Sequence, residues 1–70
     1  MTEYVAALCR MQNGNPEPYE SARFLAASYL EAKQKAREWA SSFDFVPDDA
    51  LLQINIATGR GICTIPRKDF

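Results

Sequence analysis

The sequence contains no histidine, the side chain that most often moves protons near neutral pH, so catalysis would need a Cys or Ser beside another base. Cys9 and Cys63 lie far apart in the chain and form neither a CxxC redox pair nor a zinc-ligand spacing. Each sits in an apolar run, where burial favours the neutral thiol over the nucleophilic thiolate, so both are expected to be small buried hydrophobes with free thiols. Asp44, Asp48 and Asp49 cluster in sequence but lack the central Gly and terminal Glu of a calcium loop, and they read as a solvated connection. Gly59-Arg60-Gly61 has too few glycines for a phosphate cradle, and no helix is expected after it; a hairpin turn accounts for both glycines. The expectation is a non-enzymatic chain with no catalytic residue, metal ligand or cofactor.

Charge patterning narrows the possible partners. Eight Lys and Arg against nine Asp and Glu give a net charge of -1, which supplies no general attraction toward nucleic acid or an anionic membrane. Lys33 and Arg37 lie one helical turn apart, and Arg60, Arg67 and Lys68 gather near the C-terminus, but Glu31 and Glu38 are interspersed and the set reads as mixed solvated surface. Met1-Thr2-Glu3-Tyr4 does not begin a secretory signal, and no apolar stretch approaches the ~20 residues that span a bilayer, so a cytoplasmic protein with no membrane partner is expected.

A hydrophobic content of 47% with 24% charged residues is that of a folded chain, and 70 residues suffice for a single small domain spanning residues 1–70. Thr2 to Gln12 is rich in strand formers, with Tyr4, Ala6, Leu8 and Arg10 on one face and Val5, Ala7, Cys9 and Met11 on the other. Because the second set is wholly apolar, it is expected to face the core. Asn13 to Pro18 concentrates turn residues and is expected to reverse or loop. Residues 19 to 26 read as a strand with Ala22, Phe24 and Ala26 inward, because Ser28-Tyr29-Leu30-Glu31 forms a capping box that starts the helix at Tyr29. Tyr29, Ala32, Ala36, Trp39, Ala40 and Phe43 then make one apolar stripe. Pro47 lies in the connection, and Leu51 to Ala57 alternates Leu52, Ile54 and Ile56 against Gln53 and Asn55. A short turn leads into a last strand over Ile62 to Ile65, with Pro66 ending it.

The expected fold is α+β, a four-stranded, mainly antiparallel ββαββ sheet with one helix on one face. A β-α-β-β arrangement with a longer helix from about Ser21 is the alternative. The run Phe24-Leu25-Ala26-Ala27-Ser28-Tyr29-Leu30-Glu31-Ala32, continued by Ala36 and Trp39, resembles the strand-to-helix junction of small uncharacterised bacterial ββαββ domains; antitoxins of the HicB type have a similar junction. The resemblance covers about a quarter of the chain, implies the fold, and transfers no functional residue.

One helix covers one sheet face, so the other is expected to be the functional surface, with Tyr4, Leu8, Arg10, Arg23, Leu25, Gln53, Asn55 and Ile62 as its binding residues. Self-association into a homodimer through that face or an edge strand, or binding of another protein, is the expected role. Leu8→Glu is expected to break the dimer and spare the fold. Nucleic-acid binding, with Tyr4 as a stacking platform and Arg10 and Arg23 on phosphates, is the alternative.

Overall fold

The computed structural model describes residues 1–59 and 61–70, with Gly61 and Ile62 described by their backbone alone. The elements follow the expected order: β1 (Thr2–Gln12), β2 (Asn15–Ala26), α1 (Tyr29–Ser41), β3 (Leu51–Ile56) and β4 (Gly61–Pro66), closed by a 3-10 turn over Arg67–Asp69. The strands form one four-stranded sheet in the order β2-β1-β3-β4, antiparallel throughout, with α1 on one face.

Asn13 and Gly14 form the first turn with φ of 53° and 82°. Two successive positive φ values suit a two-residue turn whose twist matches the flanking strands, and Gln12 pairs directly with Asn15. The expected loop over Asn13 to Pro18 is therefore only this turn: Pro16 and Pro18 lie inside β2. Prolines lack the N–H that a ladder needs, and they are tolerated because β2 is an edge strand. A bulge follows, Leu8 pairing with Glu20 and Cys9 with Pro18, which leaves Tyr19 as the extra residue.

The helix starts where the cap specifies. Ser28 is extended, and its Oγ accepts a hydrogen bond from the Glu31 N–H at 3.2 Å. Glu31 turns forward to an ion pair with Lys35 at 3.2 Å. Ala32, Ala36 and Ala40 are wholly buried, and their short side chains let α1 lie close on the sheet. Phe43, just past the helix, meets Trp39 edge to face at 5.2 Å between ring centroids, and both pack against the core as expected.

The core overturns one expectation about β1. Tyr4, Ala6 and Leu8 face the helix with Phe24, Leu52, Ile54, Ile56 and Ile65, whereas Val5, Ala7 and Cys9 lie on the far side. Tyr4 stacks on Phe24 across the strands at 6.3 Å. Size decides the matter: with both sets apolar, burying Tyr4 and Leu8 removes more apolar surface from water than burying Ala7 and Cys9. Arg10 had suggested a solvated face, but β3 pairs with β1 only from Tyr4 to Cys9, so Arg10 lies on the hairpin arm beyond the core.

One hydrogen bond sets the direction of the backbone groups across the whole sheet. The Ala57 N–H donates to the Glu3 carbonyl at 3.0 Å, so alternate residues from Leu51 to Asn55 turn their polar groups toward β1. Leu52 and Ile54 therefore bond Ile65 and Cys63 of β4, which leaves Thr64 and Pro66 turned outward on the free edge. By the same alternation Ser21, Arg23 and Leu25 face outward from β2, and the Lys35 ammonium donates to the Leu25 carbonyl there at 2.8 Å.

Two stability predictions follow from the cap and the core. Ser28→Ala should lower stability by ~1 kcal/mol in urea unfolding. Leu8→Ala should cost ~2–5 kcal/mol in the same measurement, whereas Val5→Ala should cost much less; equal losses would contradict the face assignment.

Candidate interaction face

The sheet face away from α1 is built around β1. Val5 lies between Arg23 on β2 and Asn55 on β3, and Ala7 between Ser21 and Gln53. Cys9 has Pro18 and Leu51 as neighbours, and on the outer strand Thr64 flanks Gln53 while Pro66 flanks Leu51. The floor is low: Ala7 is 8% exposed and Cys9 fully covered, while Leu25 at 53% stands clear of it. The result is an aliphatic trough along β1, on the sheet face opposite α1, with Arg23, Ser21, Gln53, Asn55 and Thr64 around it.

Of the residues that the sequence pointed to, Arg23, Leu25, Gln53 and Asn55 come together on this face. Tyr4 (6% exposed) and Leu8 (0%) do not; they are helix-side core, so Leu8→Glu would bury a charge and unfold the chain instead of releasing a monomer. Arg10, opposite Glu17 on the hairpin arm, has the alternation of Leu8 and not of Arg23, so the two arginines point to opposite sides. The Ile62 side chain lies outside the described residues. Leu51, expected on the open face, lies there, whereas Val5, Ala7 and Cys9 were expected in the core, and side-chain bulk in β1 was the signal that could have placed them.

Electrostatics at the rim are mild. Arg23 pairs with Glu3 at 3.1 Å, and both side chains are well exposed, so the pair contributes little to stability. Among the described residues the Gln53 and Asn55 amides make no side-chain hydrogen bond, which leaves their donors and acceptors available. Burial pushes the Cys9 thiol above its ordinary pKa, and its Sγ lies 3.9 Å from the Ala7 carbonyl. On the helix side, a hydrogen bond to Cys63 and then burial raise the Tyr29 hydroxyl. Both cysteines are free, Cys9 buried and Cys63 half-buried. Among the described residues no three His, Cys, Asp or Glu side chains lie together as a metal site. No helix among them is long and apolar enough to cross a membrane.

No family model, curated protein or solved structure matches the chain. The functional reading therefore rests on the residues and their geometry.

The thiols supply a prediction with a definite sign. Because the folded Cys9 pKa is raised, its neutral form favours the folded state below the unfolded thiol pKa of ~8.5, and stability declines as pH rises beyond that. Urea midpoints should fall between mildly and strongly alkaline buffers, and less so in Cys9→Ala. Iodoacetamide should alkylate Cys63 first in the native protein and reach Cys9 only after denaturation; rapid native labelling of Cys9 would contradict its burial.

Proposed function

We propose that the chain is a protein-interaction module whose open sheet face pairs with the same face of a second copy. The supporting observation is the trough itself: partly exposed Val5 and Leu51 beside a low floor of Ala7 and Cys9, inside a ring of amides, hydroxyls and the Arg23–Glu3 pair. An apolar centre with a polar rim is the usual anatomy of an interface. Self-complementarity comes from relief: across a two-fold axis, the protruding Leu25 of one copy can seat over the low Ala7 and Cys9 floor of the other.

The magnitudes point to a weak dimer. Val5 and Leu51 are already partly covered, so burying them yields less than the ~1.5–3 kcal/mol of a fully transferred aliphatic side chain. That gain must offset an association cost of at least ~4 kcal/mol. Dissociation in the micromolar range or above is expected. Nucleic-acid binding has less support, because Tyr4 is in the core and offers no stacking platform, and Arg10 and Arg23 are on opposite faces.

Sedimentation equilibrium over a concentration series should show a reversible monomer–dimer transition. Val5→Glu should shift it to monomer with an unchanged circular dichroism spectrum, since Val5 faces away from the helix. Wild-type protein that stays monomeric at millimolar concentration would overturn the reading.

A further inference from the structure

The second surface with a shape of its own is a groove of ≈ 510 Å³ between α1 and β4, distinct from the open face. Its helix wall carries Lys33 and Arg37, its far end Lys68 and Asp69, and Cys63 to Pro66 run along its strand wall. That volume lies within the range of binding clefts. Three cations against one carboxylate make the groove positive in a chain whose net charge is -1. Among the described residues none of the three cations is in an ion pair; the two pairs present use Arg23 and Lys35. Lys33 and Arg37, one helical turn apart, repel each other, and among the described residues no carboxylate forms an ion pair with either.

The strand wall is also a free sheet edge. The alternation set by the Glu3–Ala57 bond turns the Thr64 N–H and C=O outward, while the Pro66 C=O is taken by the 3-10 turn that Pro66 caps. The next neighbour of the Thr64 groups in the direction of the sheet is absent, because β4 is the last strand. The opposite edge is protected differently: Pro16 and Pro18 lack donors, and Lys35 occupies the Leu25 carbonyl.

We infer that the α1–β4 groove takes an extended acidic peptide segment as a fifth strand, its backbone paired with Thr64 and its carboxylates on Lys33, Arg37 and Lys68. Backbone pairing at an exposed edge gives such complexes affinity, and side-chain charge selects the sequence. A second copy of this chain is a poor occupant, since two β4 edges meeting would bring two positive grooves together.

The test is a nitrogen-15 chemical-shift titration with a short capped peptide of alternating Glu and Val. The amides of Cys63, Thr64 and Ile65 and those of Lys33 and Arg37 should shift, with an affinity that falls as salt rises. The matching Lys-Val peptide should not bind, and N-methylation of alternate peptide nitrogens should abolish binding. Lys33→Glu combined with Arg37→Glu should weaken binding by about tenfold or more while leaving the sedimentation behaviour unchanged, which separates this groove from the open face. The inference is overturned by absent shifts at β4, by shifts centred on Val5 and Ala7, by equal binding of the Lys peptide or the N-methylated peptide, or by inorganic phosphate alone reproducing the same shifts.

Discussion

The close seating of the Ala32, Ala36 and Ala40 ridge on the sheet is the interaction on which the rest of the molecule depends. With one helix available, only one sheet face can be sealed, and the ridge lets the backbone of α1 approach until Tyr4, Leu8, Leu52, Ile54 and Ile65 surround it. Larger residues at the three alanine positions would lift the helix and open gaps beside Leu52 and Ile54, both wholly buried. Trp39 and Phe43 then close one end of the core, and Tyr29, near Cys63, stands at the other.

Much of this was legible in the residues because local signals agreed with the tertiary outcome. Ser28 and Glu31 marked the helix start, the alternation of Leu52, Ile54 and Ile56 marked the inward face of β3, and Phe24 with Ala26 marked that of β2. What was not legible was the facing of β1, where both sides are apolar and alternation alone has no preference. The polarity of Arg10 misled because it belongs to the hairpin arm, and only the β1–β3 register reveals where the core stops. Pro16 and Pro18 misled in a similar way: they exclude a central strand, but an edge strand can hold them. For the candidate face, the β2 and β3 members were found and the β1 members exchanged, so Arg23, Leu25, Gln53 and Asn55 stand while Tyr4 and Leu8 belong to the core.

The two edges of the sheet illustrate how a small domain limits unwanted pairing. Along β2, prolines remove donors, the bulge at Tyr19 breaks the regular ladder, and a lysine from α1 takes up the Leu25 carbonyl. Along β4, Pro66 removes a single donor, and the remaining protection is the positive charge of Lys33, Arg37 and Lys68 overhead. Charge is a selective barrier where proline is a general one. It repels another copy of the same edge and a basic strand, but it attracts a strand bearing carboxylates.

Thr64 connects the two surfaces, because its backbone polar groups point off the β4 edge while its side chain lies on the open face beside Gln53. A strand added at that edge would widen the open face by the ~4.8 Å spacing of one more strand. Alternate side chains of the added strand would project toward the trough side and the others toward Lys33 and Arg37. An occupant with carboxylates at one parity and aliphatic residues at the other would satisfy both environments at once. The groove then determines which strand is accepted, and the face gains apolar surface for a partner, so occupancy of the edge and pairing of the faces would be coupled through shared geometry with no movement of the helix required.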